Sequence, residues 1–298
     1  MMFAGCWALQ IFVTKLGFNS GAQVLSFQIL SILTALAILA VLILPQHGDE
    51  VGKFFKQDPL LFSKLFFANG IQSGLGTCLS IIGISLTETI NAGFLVKVST
   101  VTTILFAWLI LKERLTVAKI LMVAIMLSGA YLLTTKGQVL LPRTGDLFIL
   151  AACVCWSLGN VLVRKFIQAQ SVSVDAVTFQ KPIAGLPVLL ILVAVSVWNP
   201  EFVVGHQAVI SWTRLSLSSV PYALGNGLCL AMTWTYLNRT LRISTASYMT
   251  MMSMVTPVIV SLLAMIFLHE TLVWIQVVGA GMIISAGVAT YFSDIAKA

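Results

Sequence analysis

Long stretches without a single charged side chain dominate this chain and restrict what it can fold into. Uncharged runs cover 16–48, 65–87, 120–135, 147–163, 182–200, 215–238, 243–269 and 271–293. A helix needs about 20 apolar residues to cross a hydrocarbon layer of roughly 30 Å. Several runs suffice alone, and the others do so once a charge near one end is allowed. Charged residues are only 9% of the chain and mean hydropathy is +1.01, whereas soluble domains carry roughly a quarter charged residues. No soluble fold of this length has enough polar surface to cover such a core. Segments such as Ser31–Leu44 are apolar on every side, without the strict alternation of a membrane β-barrel. The fold class is therefore all-α integral membrane.

Ten transmembrane helices are predicted, at about 1–18, 23–44, 62–85, 89–111, 115–135, 146–166, 174–198, 215–238, 243–268 and 271–292. The first lacks the basic start and small-residue cleavage site of a secretion signal, so it is kept as a helix. Cys6, Cys78, Cys153, Cys155 and Cys229 all fall inside spans, where they act as small apolar packing residues. His47, His206 and His269 are scattered near span ends. No catalytic constellation, metal cluster or cofactor motif emerges, and an enzyme is not expected.

The net charge of +7 reflects topology, not a nucleic-acid partner. With the N-terminus inside, Lys53, Lys56, Lys64, Lys112, Arg114, Lys119, Arg164, Lys165, Arg239, Arg242 and Lys297 fall on the cytoplasmic side. Lys15, Lys136, Arg143 and Arg214 fall opposite. The positive-inside rule then puts both termini in the cytoplasm, and a multi-pass place in the cell inner membrane is expected.

The sequence also repeats weakly. Cys6-Trp7-Ala8-Leu9, with Lys15 eight residues after the Trp, returns as Cys155-Trp156-Ser157-Leu158, with Arg164 eight residues after its Trp. Phe27-Gln28 returns as Phe179-Gln180. Leu111-Lys112-Glu113-Arg114-Leu115 returns as Leu268-His269-Glu270-Thr271-Leu272, and Ser128-Gly129-Ala130 as Ser285-Ala286-Gly287. Four matches in one order divide the chain into 1–141 and 142–298. Five helices is an odd number, so the second half must enter the membrane inverted. This five-plus-five inverted repeat is a transporter architecture.

At these residues the chain resembles the EamA-type family of the drug/metabolite transporter superfamily. The likeness rests on Trp7 to Lys15 and on Thr256-Pro257-Val258 through Glu270 to Gly287. Ala8 stands where that family's first motif usually has Gly, and Gln28 where its second helix often has Arg. The resemblance implies ten helices in an inverted repeat and small metabolites as substrates.

Charges deep in a span are costly and usually serve a purpose. Lys97 lies about eight residues into the fourth span, roughly 12 Å deep at 1.5 Å per residue. Lys181 sits within the seventh span before Pro182, where it either lines the path or snorkels to the interface. None of the acids lies mid-span, and Glu113 and Glu270 are expected to stabilise interfacial loops. Two buried lysines without a buried acid favour an anionic or zwitterionic substrate, such as an amino acid, carried by alternating access. A multidrug or cationic-compound exporter is the alternative, and a lipid-processing membrane enzyme a more distant one. Trp7 with Gln10, and Trp156 with Asn160, share helix faces by their spacing. Gln28 and Gln180 are repeat mates, and Asn91, Trp234 and Tyr248 complete the candidate lining. Amides in such helices also serve as helix–helix glue. The expected partners are a small-molecule substrate and membrane lipid, in a monomer or homodimer, without a cofactor.

Overall fold

The computed structural model describes residues 2–169, 172–198 and 216–295. His206, Arg214, Lys297 and the first residue of the predicted eighth span lie outside them. Every regular element among the described residues is helical. In chain order these are α1 (Met2–Asn19), α2 (Val24–Gln57), α3 (Pro59–Asn69), a π-helical turn (Gly70–Leu75) and α4 (Gly76–Leu86). Next come α5 (Thr89–Leu95), α6 (Val98–Leu111), α7 (Val117–Thr135), α8 (Thr144–Ala169) and α9 (Val174–Trp198). A short 3-10 turn (Leu217–Ser219) leads into α10 (Val220–Ile243), then α11 (Ala246–Ser253), α12 (Thr256–Leu268) and α13 (Trp274–Ile295).

Eight stretches among the described residues are long and apolar enough to cross a membrane, so the protein is multi-pass. They match the second to seventh, ninth and tenth predicted spans. The first and eighth are helical as expected, as α1 and α10, but more polar. α1 carries Gln10, Thr14 and Lys15, and α10 carries Asn226, Thr233, Asn238 and Arg239. Part of this polarity is turned inward, among α1, α10 and α2: Thr14 donates to Asn226 at 3.0 Å and Asn226 donates to Ser31 at 2.9 Å, whereas Lys15 and Arg239 stay exposed.

Local chemistry explains the boundaries. Asp58 caps α3 by accepting from the Leu61 amide at 2.9 Å, with Pro59 opening the helix. Thr116 and Thr245 cap α7 and α11 by accepting from Lys119 and Tyr248. Lys112 and His269 close α6 and α12 in the same left-handed conformation, at φ 58° and 54°. The α2 helix bends at His47, just beyond Pro45. The fourth predicted span is broken at Val96 and Lys97, and the ninth at Met254 and Val255, so each is a pair of half-helices.

Large apolar side chains such as Val41, Leu121, Ile191 and Val277 face outward, whereas Asn69, Lys97, Gln180 and Asn238 are buried. This distribution suits lipid as the outer solvent. The packing has a recurring form: α1 packs on α10 and α12, and α8 packs on α4 and α6. α2 meets α9, and α7 meets α13 along its length.

The α7–α13 seam is a backbone contact. A methyl carbon placed on Gly129 would lie 2.6 Å from the Gly279 carbonyl oxygen, and one on Gly279 would lie 2.5 Å from the Gly129 carbonyl oxygen. Small residues permit such approach in membrane helices. Gly129→Val is therefore expected to destabilise the fold by about 1–3 kcal/mol through overpacking. A thermal melt of the purified protein in detergent checks this, and an unchanged melt would mean that the seam yields.

Candidate functional site

Lys97 stands at the break in the fourth span, as the N-cap residue just before α6, after α5 has ended. Its side chain is 6% exposed. The ammonium nitrogen lies 5.0 Å from the centre of the Trp7 ring, in a cation–π contact. Phe3 stacks on the other partner of this contact, with the Phe3 and Trp7 ring centres 5.7 Å apart. α1 and the α5–α6 junction thus converge on one buried positive charge, and no acid lies in an ion pair with it among the described residues.

Hydroxyl groups line the helices beside it. Ser157 of α8 donates to the Ser99 carbonyl at 2.9 Å and meets the Thr102 and Thr103 hydroxyls at 2.6 and 2.9 Å. Thr250 of α11 approaches Thr100 at 3.4 Å. Cys153 packs against the backbone carbonyls of Leu95 and Val96 that the helix break leaves exposed. These contacts fix α8 and α11 against the broken helix.

The second aromatic–amide pair lies on the same helix as Ser157. Trp156 covers Gly76 so closely that a side chain there would collide with its indole. Asn160 accepts a hydrogen bond from Gln72, which sits in the π-helical turn. Among the predicted pairs, Trp7 with Gln10 and Trp156 with Asn160 do share helix faces, and all four side chains are half-buried.

Other predicted residues have different surroundings. Lys181 is 1% exposed, so it does not snorkel, and its ammonium has no hydrogen-bond partner among the described residues. Its carbonyl accepts from Ser73 of the π-helical turn at 3.0 Å. Gln180 accepts from Asn69 at 3.1 Å and donates to the Phe62 carbonyl at 3.0 Å, joining α9 to α3. Its repeat mate Gln28 is half-buried in α2. Asn91 donates to the Leu141 carbonyl at 2.8 Å and to Asp146, tying α5 to the segment entering α8. Trp234 belongs to the main apolar core, and Tyr248 lies half-buried in the first turn of α11.

The sequence reading missed Gln72, Asn69 and Ser157, which are unremarkable polar residues within apolar runs. It also treated Arg164 as a loop charge and found no buried acid. Arg164 is in fact buried within α8, and Glu113 is buried with it. Their side chains are 8% and 9% exposed and 3.3 Å apart. Helix ends look solvated in a sequence; here α10 and α11 cover them. The charge of Glu113 is matched by Arg164, so Lys97 and Lys181 keep their excess. No group of three or more metal-ligating side chains occurs among the described residues.

The EamA-like transporter family matches residues 1–135 and again 143–292. An uncharacterized transporter of Methanothermobacter thermautotrophicus is 24% identical over 185 residues, covering 60% of this chain and 49% of the relative. The uncharacterized transporter YyaM of Bacillus subtilis is 29% identical over 92 residues, 29% of this chain and 30% of its own. The chain therefore aligns with half or less of the length of these curated relatives. A solved crystal structure superposes with a TM-score of 0.76 at 16% identity, covering 100% of this chain and 97% of the other, which establishes likeness of fold. Members of the matched family are transporters, not enzymes. Matched twice along nearly its whole length, this chain belongs to the EamA-like transporter family, part of the drug/metabolite transporter superfamily.

Proposed function

We propose that the protein is a secondary transporter of small polar metabolites bearing a negative group, such as amino acids, moved by alternating access around Lys97. The observation that carries this reading is the buried Lys97 ammonium, held at a helix break against the Trp7 ring. A cation that deep is expensive unless something of opposite charge visits it. A carboxylate does so, and the Trp7 and Trp156 rings offer apolar cover for the rest of the molecule. Lys97 and Trp7 are assigned to the centre of this site and Gln10, Trp156 and Asn160 to its lining; Gln28, Asn91, Gln180, Lys181, Trp234 and Tyr248 are assigned to its periphery or to the helices that move.

The architecture behind it is ten crossings in two inverted five-helix halves, 1–141 and 142–298, with both termini cytoplasmic. Several observations support this. The family matches twice, once in each half. Helix breaks at Val96–Lys97 and Met254–Val255, and left-handed ends at Lys112 and His269, recur at similar places. The α1–α10 and α8–α4 contacts are each other's counterparts under exchange of the halves. The more polar α1 and α10 are read as crossings too, because they pack on each other and join Thr14 to Asn226 between them.

Among the described residues, the buried carboxylate of Glu113 is already bound to Arg164. This favours facilitated transport or exchange over obligatory proton coupling. Proteoliposomes tested against a panel of labelled amino acids and other carboxylates, with and without a pH gradient, provide the check. Saturable uptake of an anionic or zwitterionic compound without a gradient is expected. A strict gradient requirement would exclude the uncoupled mechanism, and uptake restricted to organic cations would exclude the substrate class.

A further inference from the structure

Two ion pairs join corresponding positions of the two halves. Lys15 and Arg164 each follow a matched Trp by eight residues, and Glu113 and Glu270 each follow a matched left-handed helix end. In the structure Arg164 pairs with Glu113 at 3.3 Å, and Lys15 pairs with Glu270 at 2.6 Å. The positions correspond, but the surroundings do not. The Arg164–Glu113 side chains are 8% and 9% exposed, whereas the Lys15–Glu270 side chains are 41% and 51% exposed.

Glu113 does more than pair with Arg164. Its carboxylate accepts from the Ala246 and Ser247 amides at 2.8 and 3.2 Å and from the Ser247 hydroxyl at 2.6 Å. It thereby caps the start of α11 and fastens the end of α6 to it. Arg164 adds α8, and also donates to the Leu241 carbonyl at the end of α10 at 2.8 Å. Four helices meet at this knot. Exchange of the halves maps the Ala246 and Ser247 amides onto those of Thr89 and Ile90, at the start of α5. Glu270 makes no bond to either among the described residues; its recorded partner is Lys15.

Access differs in the same sense. Val260 and Ser261 line a cavity of about 530 Å³ that also contains Lys15 and Glu270. Their counterparts beneath the Glu113 knot are Thr103 and Ile104, which are 2% and 7% exposed.

We propose that Glu113 and Glu270, each beside its basic partner, are alternating latches: in this conformation Glu113 is fastened to the Ala246 and Ser247 amides, and Glu270 is released from the corresponding pair. In the opposite conformation Glu270 caps the Thr89 and Ile90 amides while Glu113 leaves Ala246 and Ser247. This rests on the inverted-repeat reading above, and makes these four residues positioning groups for the transport cycle. The exchange balances because a carboxylate, a basic side chain and two helix-start amides are available on each face. Such a matched pair of arrangements is bistable instead of continuously deformable.

The test needs no substrate. In protein whose five native cysteines are replaced by serine, Ser261→Cys and Ile104→Cys report on the two faces through their rates of maleimide labelling. Ser261→Cys is expected to react quickly and Ile104→Cys slowly. Glu113→Gln is expected to speed Ile104→Cys and slow Ser261→Cys, each by about threefold or more as the two-state population shifts. Glu270→Gln is expected to slow Ile104→Cys further, because it disables the competing latch. General loosening would speed both reporters in both variants, and that result, or no change, would overturn the proposal. If Glu113→Gln fails to fold, Glu270→Gln still decides: an unchanged or faster Ile104→Cys rejects the latches. In sealed vesicles, labelling of both reporters by an impermeant maleimide from one side would instead reject the inverted repeat itself.

Discussion

Lys97→Met is expected to raise KM for an anionic substrate about 10- to 100-fold, without lowering thermal stability. A hydrogen bond to a charged group contributes about 1.5–3 kcal/mol, and each 1.4 kcal/mol is about tenfold in affinity. The stability half of the expectation comes from the surroundings. The recorded partner of the Lys97 ammonium is the face of Trp7, and a cation–π contact gives about 0.5–2 kcal/mol. Burying an ion costs several kcal/mol, so the lysine is a net burden on the empty protein. Methionine has similar length and no charge, and it relieves that burden. Uptake kinetics in proteoliposomes together with a thermal melt measure both effects. Unaltered KM at normal expression would remove Lys97 from the substrate path; a collapsed melt would make it a structural lysine.

Arg164→Met is expected to be the most damaging of the charge removals. It leaves the Glu113 carboxylate buried without its cation, and breaking one side of a buried pair costs about 3–5 kcal/mol. The Glu113 carboxylate would keep its hydrogen bonds from Ala246 and Ser247, which moderates the loss towards the lower end. Lys15→Met removes the corresponding residue of the other half, yet its pair with Glu270 is largely exposed. Such pairs contribute about 0–1 kcal/mol. Melting of the two variants side by side tests the contrast: equal shifts would mean that the two pairs have similar surroundings in the membrane.

The helices were legible because lipid imposes a simple demand, an uncharged run of sufficient length. The proposed repeat rests on residues such as Trp7 and Trp156, or Glu113 and Glu270, which recur in one order along the sequence. Lys97 was legible as a charge where none belongs. What lay beyond the sequence was orientation about each helix axis. In water an amphipathic stripe marks the buried face, but a helix surrounded by lipid is apolar on both faces, and the stripe is faint. Nothing in the runs around Gln72 or Ser157 therefore says that they point toward α8 or α6. The π-helical turn at Gly70–Leu75 was likewise invisible, since it depends on how α3 and α4 pack against α8 and α9. The burial of Arg164 was hidden for a related reason. Its cover is supplied by α10 and α11, some eighty residues further along the chain.

The glycine seam between α7 and α13 has a mechanical consequence. Side chains that interdigitate can change rotamer and let two helices slide, but backbone resting on backbone has no such freedom. A shift of one residue along the seam would set Leu132 or Met282, both already at contact distance around these glycines, against a carbonyl. In the transport cycle proposed above, motion that opens either face would leave this seam in register, with α7 and α13 as the fixed post and the broken helices beside them as the swinging parts.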